Sequence, residues 1–448
     1  MDSLARHGAT PSAIRIAGAL CIAVVVAAPM AVGGFRPQWW LASAAIIFAA
    51  AAVTAMAMAA AGRRARSLRR AGPMIAPLYL LFIVGLCVHV AFIGGASSDA
   101  DAHYGLLRQL SYAALAWTLL QAITRERRAG DYATALICAM LAYAVYGLVT
   151  IDRVDLLLYE KVAYAGVATG PFINRNSFAT FMAVGACLAL ATAMADETGL
   201  ARRHRRARSG GPVEGRMRAL MLYSVALLCI AAVYATASRM GLLATLLGAV
   251  VVVGLRLRRV PARGGLGGQV AALIAMLAVA GVATVTLLYG GDVAERLGSS
   301  ADSASVRIAL YLNVLEMIAA QPLLGVGIDN FGEAFRAHHR LPVSPDLSWH
   351  LAHNTYLALW SELGIVLGTL PILLLALAAL ALARRSLSAE VTPTSHLSDA
   401  ALAAIVIAAA HSFLDFSLEM PANAFLLIAV IVLGLGPAER QNGGGAAT

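Results

Sequence analysis

The sequence predicts an all-α polytopic membrane protein with about 12 transmembrane helices and one long outward loop containing short amphipathic helices. Three observations predict it. Of the 448 residues, 60% are hydrophobic and only 13% charged, whereas ordinary soluble domains carry roughly 25% charge. The mean hydropathy is +0.77, and the apolar residues come in unbroken runs of about 20, the length that crosses a bilayer as a helix. An outer-membrane barrel is excluded because its strands alternate apolar and polar residues, which these runs do not.

The candidate spans, in order, are 14–34, 40–61, 74–95, 105–124, 131–151, 177–195, 219–236, 240–255, 268–290, 357–383, 399–417 and 421–436. The fourth is the weakest, because Arg108, Gln109 and Gln121 interrupt it. The first is long enough to span, and Pro29, Gly33 and Gly34 make a poor cleavage site, so it is expected to be retained. Abundant Gly and Ala permit close helix packing in lipid. Cys21, Cys87, Cys138, Cys187 and Cys229 all fall inside apolar runs without CxxC spacing and read as small buried hydrophobes.

Orientation follows from the basic residues. The net charge of +10 comes almost wholly from arginine, and alternate connections share it unequally, with 23 basic residues on one side and 9 on the other. The positive-inside rule then puts both termini in the cytoplasm. Arginines confined to short loops between spans serve topology, so no nucleic-acid partner is expected. We divide the chain into 1–151, the first five spans; 152–383, including the outward loop 291–356; and 384–448, the last two spans and a cytoplasmic tail.

Loops as long as 291–356 are uncommon unless they do something. Within it, Ser303 or Ser305 is placed to cap a helix through Val306, Leu310, Val314 and Ile318, stopped by Gln321 and Pro322. Gly325 and Gly327 then form a turn, and Asp329 or Asn330 caps a second short helix toward His338.

Three outward segments carry residue types suited to chemistry. In Gly170–Ser177, Arg175 lies between Asn174 and Asn176 at the start of a span, where helix amides already favour anions; an interface arginine that snorkels is the alternative. Arg239 sits in a tight turn between two apolar helices with no carboxylate nearby in sequence, so a ligand phosphate or a lipid headgroup is its expected partner. In His350–Tyr356, His353 can take a proton near neutral pH beside Asn354, Thr355 and Tyr356, or serve as a structural interface histidine. Glu362 is too far along the helix to bond His353 and reads as supporting or orienting; Arg307 is a further outward candidate. His411 and Asp415, four apart on one face of a span, are a buried pair or a functional one. The spacing of His338, His339, His350 and His353 matches no zinc pattern, and no metal or cofactor is expected.

The segments GPFINRNSF at 170–178, SRMG at 238–241, 305–335 and HLAHNTYLALWSELG at 350–364, in this order, resemble the O-antigen ligase family of bacterial inner-membrane glycosyltransferases, which includes O-antigen and exopolysaccharide polymerase-like members. The resemblance covers roughly 170–385. It implies a donor glycan on undecaprenyl pyrophosphate, transfer at the periplasmic face with inversion and without metal, and lipid A core as acceptor, or a second lipid-linked glycan in a polymerase. By motif, Arg175 and Arg239 would hold the pyrophosphate and His353 would be the general base, with Asn174, Asn176, Arg307, Asn354, Tyr356 and Glu362 lining the substrate site. Membrane lipids are the remaining expected partners. A twelve-helix transporter or flippase fits the span count, but related halves are lacking and intramembrane charges are sparse.

Overall fold

The structure, a computed structural model, describes residues 2–62, 73–93, 99–123, 126–151, 153, 166–197, 212–259, 293–343, 349–388 and 391–436. Among them it is all-helical. The helices are α1 (Asp2–Ala27), α2 (Pro37–Ala60), α3 (Ile75–Ile93), α4 (Asp99–Ala122), α5 (Glu126–Val149), α6 (Arg175–Glu197) and α7 (Pro212–Ala235). They continue as α8 (Arg239–Arg259), α9 (Val293–Ala320), α10 (Phe331–His338), α11 (Thr355–Leu387), α12 (Ser395–His411) and α13 (Pro421–Leu435).

Eight of these are long and apolar enough to cross a membrane: α1, α2, α3, α5, α6, α7, α8 and α11. This is a multi-pass membrane protein. Three of the expected spans fall short by that measure. Although 24 residues long, α4 carries Asp99, Asp101, Arg108 and Gln109, while α12 and α13 are apolar but only 17 and 15 residues long. The expected span 268–290 lies outside the described residues.

The bundle is built around α6, whose apolar stretch is 94% buried against 22% in α11. Ala-rich α6 packs against α5, α7, α8 and α12, and its small side chains let these neighbours approach closely. At the end remote from the long loop, Arg259 of α8 grips Asp399 of α12 at 2.5 and 2.9 Å and also donates to the Ser386 carbonyl of α11. Two cysteines depart from expectation: Cys87 and Cys138 face outward, while Cys21, Cys187 and Cys229 are buried. In a membrane helix an outward apolar residue meets lipid, so burial in protein is not required of it.

Two features of the long loop differ from expectation. The first helix begins at Val293, so Ser303 and Ser305 fall inside it instead of capping it; the strong helix formers Ala294, Glu295, Arg296 and Leu297 carry the helix upstream. The second helix starts after Asn330 as the sequence suggests, but the Asn330 side chain bonds the Val326 carbonyl, and the Phe331 amide is met by Glu362 at 3.4 Å. Beneath the loop, Leu310, Val314 and Met317 of α9 pack with Phe331 and Phe335 of α10 and Leu357 and Ala358 of α11.

The loop is fastened to the bundle at a break in α11. Gly364 has φ 72° and ψ 166°, a backbone that only glycine adopts readily. There α11 opens and the stretch 322–327 lodges against it: Ile365 N donates to Pro322 O, Val326 N to Ser361 O and Gly327 N to Glu362 O. Arg108 of α4 adds an ion pair to Asp329 at 2.5 Å.

Candidate functional site

Three helices begin on the same side of the bundle, and each begins at a candidate residue. Asn174 accepts the Asn176 amide at 2.7 Å at the start of α6, so Arg175 occupies its first turn. Ser238 accepts the Gly241 amide at 3.1 Å at the start of α8, leaving Arg239 as its first residue. Asn354 accepts the Tyr356 and Leu357 amides at 3.0 and 3.1 Å at the start of α11, with His353 immediately before it. Each cap follows from the preference of Asn and Ser for that position, where the side chain satisfies an orphan amide. The positive ends of three helix dipoles therefore lie on one side.

The first two starts are in direct contact. Gly241 of α8 lies so close to α6 that a Cβ there would come within 2.6 Å of the Ala179 Cβ. The Ala168 amide also bonds the Ala235 carbonyl at 2.8 Å, joining the segment before α6 to the turn before α8. Arg175 and Arg239 are thus carried on adjoining helix ends. No described carboxylate pairs with Arg175, and Arg239 is exposed.

The third start joins the first through Asp415. Asn176 donates to Asp415 Oδ1 at 3.1 Å, and the Ser417 hydroxyl donates to Oδ2. The Thr355 hydroxyl donates to the Asp415 carbonyl at 3.3 Å, and the Asn354 side-chain amide to the Phe413 carbonyl at 2.9 Å. Behind Asp415, His411 Nδ1 is 2.6 Å from Thr180 Oγ1 and 3.1 Å from Ser417 Oγ. Sequence reading put His411 and Asp415 on one face of a single helix. In the fold α12 ends at His411, and the chain turns so that Asp415 comes back toward Asn176; their side chains remain 3.9 Å apart.

His353 occupies the left-handed region at φ 52°, unusual for a residue with a side chain. Its carbonyl accepts the Tyr311 hydroxyl at 2.9 Å, and its ring lies edge-on to Phe416 at 4.9 Å and Trp349 at 5.9 Å. Burial pulls the imidazole below its ordinary value; Asp415 opposes this and Arg307 adds to it. His353 is therefore held neutral near pH 7, the form that can accept a proton. Arg307, one helical turn before Tyr311 on α9, is close enough to act electrostatically on both His353 and His411.

The other candidates are placed as follows. Asn174 and Asn354 spend their side-chain oxygens on helix starts, and Tyr356 donates to the Ala409 carbonyl at 2.9 Å. Glu362 lies with Asp329, Glu419 and Arg108 where the long loop docks. Burial pushes the Glu419 carboxyl well above its ordinary value; Glu362 pushes it further and Arg108 opposes. Sequence reading missed Tyr311. Its only signal was the polar pair Arg307 and Tyr311 at i, i+4 interrupting an apolar helix face. Among the described residues no three His, Cys, Asp or Glu side chains converge to hold a metal ion.

Guanidinium groups at helix starts suit the oxygens of a phosphate or diphosphate, and a neutral histidine suits a hydroxyl proton. Residues 224–372 match the family model described as O-Antigen ligase. No curated protein matches the chain.

Proposed function

With an O-antigen ligase domain over residues 224–372 as the premise, we propose that this protein is a bacterial inner-membrane glycosyltransferase acting at the periplasmic face. Ligase and polymerase chemistry in general comes with that domain; the donor, the acceptor and the residue roles are our reading. The donor is a glycan on undecaprenyl pyrophosphate and the acceptor a sugar hydroxyl of lipid A core. Both termini lie in the cytoplasm, as the arginine distribution predicts.

One observation carries the reading: Arg175, Arg239 and His353 each stand at the start of one of three capped helices on one side of the bundle. Arg175 and Arg239 bind the diphosphate, aided by the helix amides and dipoles. His353 takes the acceptor O–H proton as that oxygen attacks the anomeric carbon. The new C–O bond forms as the bond to the diphosphate oxygen breaks, and the leaving diphosphate's charge is met by the guanidinium groups. Attack from the face opposite the leaving group inverts the anomeric centre. Asp415 and Arg307 set the charge around His353.

The test uses a deletion strain rescued by wild type or His353→Ala, read by polysaccharide gel and by lipid-linked glycan analysis. Lipid A core without polymer, with glycan accumulating on undecaprenyl pyrophosphate, supports the ligase. Loss of long chains with single repeats still attached makes the protein a polymerase. Unchanged profiles with His353→Ala refute the role given to His353.

A further inference from the structure

The stretch 321–328, Gln-Pro-Leu-Leu-Gly-Val-Gly-Ile, contains no charged residue and no helix, and it does not hang in water. Its backbone is served by protein: Gly325 N by Gln321 O, Val326 N by Ser361 O, Gly327 N by Glu362 O, Pro322 O by Ile365 N, and Val326 O by Asn330. A further link fixes the depth of the stretch. His89 Nε2 lies 2.7 Å from Leu324 O, and His89 belongs to the spanning helix α3.

Depth follows from helix length. The apolar stretch Ile75–Phe92 has 18 residues, about 27 Å at 1.5 Å each, so α3 needs all of it to cross a hydrocarbon core of about 30 Å. His89 stands three residues before its end, which puts Leu324 O roughly 5 Å inside the apolar stretch. Non-helical backbone is tolerated at such depth only where protein satisfies it, as here.

The side chains at this point are apolar and turned outward. Leu323 is 69% and Leu324 60% exposed, and so are Phe92 of α3 at 84%, on the helix whose His89 meets the Leu324 carbonyl, and Val366 of α11 at 65%, on the helix whose break holds the tip. On α9, Leu312 and Leu315 are also exposed, on the face opposite the buried Leu310, Val314 and Met317. Outward apolar side chains thus occur on the tip, on α9 and on the two spanning helices that hold the tip, more than a water-facing loop would show.

We propose that residues 321–328 form a re-entrant tip seated in the leaflet, with Leu323 and Leu324 packed against the acyl chains of bilayer lipids and the outer stripe of α9 on the same surface. The occupant is bulk lipid, because the surface continues the lipid-facing sides of α3 and α11. This places the loop at a fixed depth and does not depend on the reaction proposed above.

The experiment uses the full chain in phospholipid vesicles, with the outward thiols removed by Cys87→Ser and Cys138→Ser. An environment-sensitive fluorophore is attached at Leu323→Cys, or at Leu324→Cys if the first does not fold, and at Arg336→Cys on α10 as reference. Lipids brominated on the acyl chains are expected to quench the probe at 323 or 324 several-fold more than the probe at 336, with blue-shifted emission. Equal quenching at both positions would overturn the proposal. So would quenching that disappears on adding undecaprenyl phosphate, which would assign the surface to an isoprenoid, or on raising protein density, which would assign it to a second copy.

Discussion

The junction at Gly364 allows a sharp test, because the same substitution should have opposite effects at two glycines. Gly364 adopts φ 72° and ψ 166° in the middle of α11, a conformation that costs a residue with a side chain about 1–3 kcal/mol. A Cβ there would come within 2.2 Å of the Leu323 carbonyl oxygen, a backbone atom that cannot swing away. Relief requires the loop to leave the break, with loss of the bonds Ile365 N to Pro322 O, Val326 N to Ser361 O and Gly327 N to Glu362 O. At about 0.5–1.5 kcal/mol each, and with the backbone cost added, the expected total for Gly364→Ala is about 2.5–7.5 kcal/mol of destabilisation. Gly254, by contrast, is a helical glycine of α8 with nothing within 4 Å of where a Cβ would stand; Gly254→Ala should stabilise by about 0.5–1 kcal/mol. Equilibrium unfolding of both variants in mixed detergent micelles, followed by circular dichroism, gives the comparison. Equal midpoints for the two would refute the account of the docked loop.

Three further outcomes are expected. Arg175→Lys should lower glycan transfer at least tenfold, because a lysine cannot make the bidentate contact to a diphosphate; wild-type transfer by the purified variant would exclude that contact. The His353 imidazole is held below its ordinary 6.5 by burial, so transfer should be full at pH 7 and fall only below pH 6.5; an acid limb above that value in a pH–rate profile would contradict this. The sign for stability is the same: a depressed folded value means that protonation favours the unfolded chain, so His353's contribution is present above pH 6.5 and is lost as pH falls through the folded value. Because guanidinium groups supply the positive charge, chelator should leave transfer intact, and activity restored only by a divalent ion would sink the mechanism.

Much of this architecture was legible in the sequence. Long apolar runs separated by arginine clusters determine spanning helices wherever they occur, since lipid offers the backbone no other way to satisfy its amides and carbonyls. The starts of α6 and α8 were legible for a local reason, Asn174 and Ser238 being cap residues just ahead of an apolar run. Arg175, Arg239 and His353 were candidates from the residue types around them, and the roles given to them are the proposal above.

Only the tertiary structure decided what lies beside these residues. That Asp415 meets Asn176 across 239 positions, that Tyr311 holds the His353 carbonyl, and that Glu362 faces Arg108 and Asp329 depend on how helices far apart in sequence pack. Gly364 shows the limit most clearly. A single glycine in an apolar run reads as helix from sequence, and its break has meaning only once the loop from 322 to 327 supplies the hydrogen bonds that the open helix lacks. Periodicity and caps act over a few residues and can be read along the chain, whereas a neighbour in space is set by the packing of every helix between.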